Sequence, residues 1–255
     1  MKLLGAHALV TGANRGLGSH FVEALLDRGA ERVYAAARQV DTLADAAAQH
    51  GERIVPIQLD VTDSDAVRRL AASLPDVDLV VSNAGQACAV PALRGGADDE
   101  FRAVFEVNFF GPLGLVRAFA PSVRAHGGGI LFVQSLAALV ISRSSPIYSA
   151  SKAAATMLAA GVRAELKADG VTVTSTFPGF VDTDMTAGVD IAKASPRSVA
   201  DRSLDAFEAG RSVAFPDRLA ELVEDAVIHD MAGVLDDPQA VMTGLIRTLK
   251  RESTG

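Results

Sequence analysis

The sequence predicts an α/β fold, a doubly wound parallel sheet of six to seven strands with helices on both faces. Three observations lead there. Short apolar runs alternate with helical patterns from residue 6 to about 178, which is how parallel strands joined by crossover helices read. The first such run is closed by a glycine cluster that opens a helix. At 255 residues, 49% of them hydrophobic, the chain can bury one sizeable core, and no low-complexity linker divides it. One domain over 1–255 is therefore expected.

The strands are placed at about 6–11, 32–37, 54–59, 79–82, 130–135 and 171–177. Phe21 to Leu26 carries helical spacing and ends at Gly29. Two long helices are expected at about 98–125 and 148–168, the first with Phe101, Phe105 and Phe109 on one stripe. Pro112 lies inside it and has no N–H for the carbonyl of Asn108, so a bend is predicted there. Residues 179–203 read as a substrate-covering loop with short helices. Ser212 to Phe215 is a candidate seventh strand, and the tail over about 204–255 diverges from familiar patterns.

Net charge is −7, which argues against non-specific nucleic-acid binding and against an anionic membrane surface. No run approaches 18 uninterrupted apolar residues, so no membrane span is expected. The opening residues imitate a secretory leader, but the apolar run is too short and cleavage would remove the first strand. Cys88 is the only cysteine; no intrachain disulfide is possible, and a cytoplasmic location is expected.

After the first strand comes Gly12-Ala-Asn14-Arg15-Gly16-Leu17-Gly18. A glycine-rich turn feeding a helix aims backbone N–H groups and the helix dipole at an anion, commonly a pyrophosphate. Far downstream, Tyr148 and Lys152 lie one helical turn apart and share a face. An ammonium beside a phenol favours the phenolate and draws its pKa down from about 10, making Tyr148 a candidate acid/base.

The G-x-x-x-G-x-G spacing with Tyr-x-x-x-Lys resembles the short-chain dehydrogenase/reductase family, in its compact NADP(H)-dependent branch with a Rossmann-type sheet. Further motifs fall in family order over about residues 5–190. Asp60-Val61 matches the pair that contacts adenine. Ser82-Asn83-Ala84-Gly85 matches the Asn-Asn-Ala-Gly motif with Ser for the first Asn. Asn108, Ser135, Tyr148 and Lys152 match the catalytic four, and Pro178-Gly179 matches the segment facing the nicotinamide. The resemblance also implies cofactor contacts from Val181 and Thr183, and from Tyr148 and Lys152 themselves. It implies that Tyr148 exchanges the proton, Ser135 orients the substrate oxygen, Lys152 tunes Tyr148 and holds the ribose, and Asn108 holds a water in the proton relay.

Charge bears on which nicotinamide cofactor is taken. An acid at the end of the second strand would suit a ribose 2′-hydroxyl, but that position reads Ala37, followed by Arg38. Arg38 and Arg15 could grip a 2′-phosphate, so NADP(H) is expected. Gln86, Ala87, Cys88, Leu136 to Ile141, Phe180 and Met185 would face a substrate; mostly apolar, they suit a hydrophobic ketone, aldehyde or alcohol. The alternatives are a cofactor-binding regulator, a non-redox lyase or an epimerase on the same fold. The small-residue helix Ser151–Ala160 with the phenylalanine stripe predicts a homodimer, a tetramer remaining open.

Overall fold

The computed structural model describes residues 1–93, 96–141 and 144–252. The chain runs β1 (His7–Thr11), α1 (Gly16–Asp27), β2 (Arg32–Ala37), α2 (Ala44–His50), β3 (Ile54–Gln58), α3 (Ser64–Ser73) and β4 (Leu79–Ser82). It continues through α4 (Asp98–Phe105), a π-helical turn (Glu106–Phe110), α5 (Gly111–Ala125), β5 (Gly129–Val133), α6 (Pro146–Leu166) and β6 (Thr172–Thr176). Then come α7 (Pro196–Glu208), β7 (Val213–Ala214), α8 (Arg218–Asp236) and α9 (Pro238–Glu252). The seven strands form one parallel sheet in the order β3-β2-β1-β4-β5-β6-β7. Strand order reverses between β1 and β4, the place where ligands settle in doubly wound sheets.

Strand alternation divides the core. Ala8, Val10, Leu131 and Val133 face one side with Phe21 and Leu25 of α1 and Leu204 and Phe207 of α7. Leu9, Ile130 and Phe132 face the other with Val67 of α3, Leu115 and Phe119 of α5, and Leu166 of α6. This is the period-two consequence of a pleated strand. Between α1 and α7 the Arg28 guanidinium binds Asp201 at 2.5 Å and Asp205 at 2.7 Å. At the amino edge of the sheet, Asp76 accepts from Tyr34 and pairs with His7, both at 2.6 Å, tying β1 and β2 to the entry of β4.

Several expectations shift in detail. The candidate seventh strand forms but pairs only through Val213 and Ala214. The expected loop at 179–203 ends at Ser195, whose side chain caps α7, with Pro196 at its first position. The tail expected to diverge is a helical hairpin, α8 and α9. Its inner face (Leu219, Val223 and Val234, with Val241 and Ile246 packed on them) meets Leu136, Val140 and Phe177 in a third apolar cluster. The bend expected at Pro112 is the π-helical turn, in which Gly111 N–H bonds the Glu106 carbonyl. The extra residue rotates the next side chains by about 100° around the helix axis. The exposed aromatic beyond Phe101 and Phe105 is therefore Phe110, 49% exposed, instead of Phe109.

By length and composition the composite helix 98–125 would pass as a membrane span, although the chain has no run of 18 uninterrupted apolar residues. Its Leu115, Val116, Phe119 and Val123 are instead buried against the sheet.

Candidate active site

The carboxyl edge gathers the glycine turn, the segments after β4, β5 and β6, and the start of α6. Gly12 and Gly16 have φ of +64° and +55°, conformations open to glycine at little steric cost. Gly18 has no room for a side chain: a Cβ there would drive into the Gly12 carbonyl and lie 2.6 Å from Asn83 Nδ2. The Asn83 side chain holds that turn, with Nδ2 donating to the Thr11 carbonyl at 2.8 Å and the Gly12 carbonyl at 3.2 Å. Thr11 Oγ1 accepts from the N–H groups of Asn83 and Ala84, both at 3.1 Å. So Asn83 and Ala84 build the turn's wall.

The first turn of α1 carries no acidic residue, and Arg15 at its cap makes no side-chain cap bond. Among the described residues its leading N–H groups thus have no capping side chain, which suits a phosphate. Asn14 and Leu17 lie in the same turn, both partly buried. At the neighbouring strand end, Ala37 is buried and Arg38 is exposed. Leu59 N–H bonds the Ala37 carbonyl at 2.9 Å, so the exit of β3 that leads to Asp60 follows the end of β2 along the edge. Asp60 is occupied locally, one carboxylate oxygen accepting from the N–H and hydroxyl of Thr62. Val61 packs against Gly111 of α5.

Arg15 pairs with Asp184 at 3.2 Å, both well exposed, a geometry worth little in stability but one that leads across the site. Thr183 lies against Gly16, its Cγ2 3.3 Å from where a Cβ would stand. Val181 bridges to Ala194, and the Pro178 carbonyl accepts from Leu136 N–H at 3.1 Å. Residues 178–184 thus form a strap from the end of β6 to the glycine turn.

Ser135 follows β5 in extended conformation and caps a short 3-10 turn, Leu136–Ala138, its hydroxyl accepting from Ala137 N–H at 3.1 Å. Tyr148, near the start of α6, lies close enough for the Ser135 side chain to pull its phenol pKa down. Lys152, 6% exposed, donates to the Val133 carbonyl at 3.0 Å. A Cβ on Gly85 would stand 3.6 Å from Lys152 Nζ and 3.5 Å from Asn108 Oδ1. Asn108 sits in the π-helical turn, its Oδ1 accepting from Gln86 N–H at 2.8 Å while Nδ2 donates to the Gln86 carbonyl at 2.9 Å and Ser151 Oγ at 3.0 Å. Ser151 in turn donates to the Tyr148 carbonyl at 2.7 Å. All four residues expected to be catalytic therefore converge.

Two features depart from expectation. Burial pushes the Tyr148 phenol above its usual range, only partly opposed by the Ser135 side chain. Lys152 is shifted as well: burial lowers its pKa to about 8. Ser151 and Asp217 were not legible as site residues. Ser151 reads as an ordinary helical serine, and the strap partner of Asp217, Gly179, lies 38 residues upstream.

The comparisons with known proteins agree with this geometry. A family model described as short chain dehydrogenase matches residues 6–194. The chain belongs to the short-chain dehydrogenase/reductase family and is an oxidoreductase of that family. It is similar to the NADPH-dependent 1-acyldihydroxyacetone phosphate reductase of Saccharomyces cerevisiae, 36% identical over 80% of this chain and 68% of the yeast protein. An uncharacterized oxidoreductase of Myxococcus xanthus is 37% identical over 71% of this chain and 74% of its own. Among solved structures, a short chain dehydrogenase from Burkholderia cenocepacia in complex with NADP has a TM-score of 0.86 and 37% identity, covering 94% of this chain and 100% of that one.

The Lys152 environment carries a test. A lysine whose folded pKa falls to about 8 from 10.5 burdens the folded state when charged. Its favourable contribution is complete above pH 10.5 and is lost as pH falls through about 8. In cofactor-free protein, Lys152→Met should gain stability relative to the unsubstituted chain at about pH 7, and the gain should shrink as pH approaches about 10. Urea denaturation across that range measures it; a constant difference would contradict the burial account.

Proposed function

We propose that the chain is an NADP(H)-dependent reductase or dehydrogenase interconverting a ketone or aldehyde and an alcohol, on a mainly hydrophobic small molecule. The observation that carries this reading is the convergence of Ser135, Tyr148 and Lys152 at the carboxyl edge, beside a glycine turn whose helix, among the described residues, opens without a capping side chain. Two relatives support the cofactor, the yeast reductase being NADPH-dependent and the Burkholderia dehydrogenase a complex with NADP.

The residues present fit NADP(H). The glycine turn and the start of α1 would hold the pyrophosphate. Asp60 and Val61 would flank the adenine, Arg38 would meet the 2′-phosphate with Arg15 as a second cation, and the strap from Pro178 and Gly179 to Val181 and Thr183 would cover the nicotinamide. When bound, the reduced cofactor supplies the hydride. Tyr148 gives its proton to the carbonyl oxygen, and Ser135 hydrogen-bonds the same oxygen and fixes its direction. A phenol kept protonated by burial is suited to donate. Lys152, next to Gly85 and one helical turn from Tyr148, would hold the ribose hydroxyls, while Asn108, clamped by Gln86 and Ser151, fixes the bend in the long helix beside them. Leu136, Val140 and Phe177 are spent on packing the tail hairpin; the exposed Ile141 and Met185 support a hydrophobic substrate.

Outward from the site, Phe101, Phe105 and Phe110 with Ile147 line a surface groove of about 410 Å³. These faces of α4, the π-helical turn and α6, with the exposed Met157, make a homodimer the preferred assembly. Light scattering at micromolar concentration should return twice the 26.5 kDa of the chain; a monomer mass would return these residues to the free surface.

Tyr148→Phe keeps the ring and removes the proton. Turnover of a ketone panel, followed by NADPH absorbance, should fall at least about a hundredfold, while NADPH binding persists; near-normal turnover would remove Tyr148 from the acid role. Ala37→Asp combined with Arg38→Leu should shift preference toward NADH, since a carboxylate suits a ribose diol and repels phosphate. Steady-state kinetics with both cofactors decides this, and equal use of NADH by the unsubstituted chain would contradict the role given to Arg38.

A further inference from the structure

The tail hairpin is hydrogen-bonded to the cofactor strap by the side chain that caps its first helix. Asp217 is 7% exposed. Its Oδ2 accepts from Gly179 N–H at 2.8 Å, and its Oδ1 accepts from Ala220 N–H at 3.0 Å as the cap of α8. Both carboxylate oxygens are thus directed at backbone donors, one on each side of a junction between segments far apart in sequence. Gly179 is pressed into that junction. A Cβ there would stand 2.9 Å from Asp217 Oδ1, 3.2 Å from Leu136 Cδ1 and 3.4 Å from Leu219 Cβ. The preceding residue, Pro178, accepts from Leu136 N–H, the residue next to Ser135. Asp217 therefore meets the strap at the point where it leaves the catalytic turn.

The strap's other end is held against the glycine turn by Thr183 on Gly16 and by Arg15 on Asp184. Its middle is paired with the return segment, Asp182 N–H to the Ala194 carbonyl at 3.0 Å and Ala194 N–H to the Phe180 carbonyl at 2.8 Å. Of these ties, the Arg15 pair is well exposed, whereas the Asp217 contact is enclosed, and a hydrogen bond to a charged, enclosed acceptor is among the strong ones.

We propose that Asp217 is a positioning residue for the cofactor site: its carboxylate latches the strap at Gly179 and so couples the α8–α9 hairpin to the path over the nicotinamide. The role rests on the NADP(H) reading above. It acts through the strap and not by contact with a reacting atom.

The latch and the cap can be separated by substitution. Asn is as good a helix cap as Asp, so Asp217→Asn keeps an oxygen for Ala220 and turns an amide donor toward Gly179 N–H, breaking the latch. It also removes a buried charge, whose carboxyl burial pushes above the usual range despite its two backbone donors. Asp217→Ser likewise caps but is too short to reach Gly179. The experiment measures thermal midpoint and NADPH affinity by calorimetric titration, for the unsubstituted chain and both variants, with kcat and KM for NADPH on any ketone turned over. Expected is a midpoint near that of the unsubstituted chain and NADPH binding weakened about tenfold or more, the scale of one lost hydrogen bond to a charged group. The loss should enter KM for NADPH more than kcat. Unchanged affinity in folded variants would overturn the latch, and so would variants that fail to fold, which would make Asp217 a fold determinant only. If the unsubstituted chain binds no NADPH, the cofactor reading itself fails, an outcome distinct from either.

Discussion

The site depends on the clamp between Thr11 and Asn83. In a doubly wound sheet the two strands at the reversal, β1 and β4, send their chains away in opposite directions, and the crevice between them must be kept at a fixed width. Thr11 Oγ1 accepts from the N–H groups of Asn83 and Ala84, and Asn83 Nδ2 donates to the carbonyls of Thr11 and Gly12. These bonds are reciprocal and close a ring of backbone and side chain around the opening. The lack of space at Gly18 belongs to the same ring: a side chain there would meet first the Gly12 carbonyl and then the Asn83 amide that holds it. The glycine turn is thus shaped as much by β4's exit loop as by its own sequence.

This fixed opening sets the electrostatics of the candidate catalytic group. Lys152 lies under the exit loop near Gly85, where its ammonium donates to the Val133 carbonyl. An ammonium with so little solvation has a lowered pKa, and a phenol in the same surroundings has a raised one. Both shifts favour the neutral forms.

The long helix supplies the third wall by failing to be regular. Pro112 cannot complete an α-helical bond, and the extra residue of the π-helical turn is absorbed between Glu106 and Phe110. That irregularity carries Asn108 inward, where its amide is spent on Gln86 and Ser151, and carries Phe110 outward. The same turn thus builds the inner site and alters the outer face. On the opposite flank the tail hairpin closes over Leu136 and Phe177, so that residues after the last strand contribute to the surroundings of the catalytic turn.

The sequence by itself determined the strand–turn–helix order, the glycine turn, the four candidate catalytic residues and the missing acid at the end of β2. Each is a local pattern: alternation, a glycine where φ is positive, or a fixed spacing on one helix face. The bend at Asn108 was also legible, because a proline's missing donor is a property of one residue. Tertiary structure alone decided the rest. Whether Tyr148 is raised or lowered depends on burial and on where Lys152 Nζ points, which no spacing contains. The shift from Phe109 to Phe110 required knowing that the bend inserts a residue. The helices of the tail were lost to the sequence because Gly233, Gly244 and a kink at Asp230 interrupt their pattern, and they are held by packing on Leu136 and Phe177. Asp217 reads as one acid among 31 Asp and Glu; only folding brings it against Gly179, since the contact joins two chain segments that the sheet's edge places side by side.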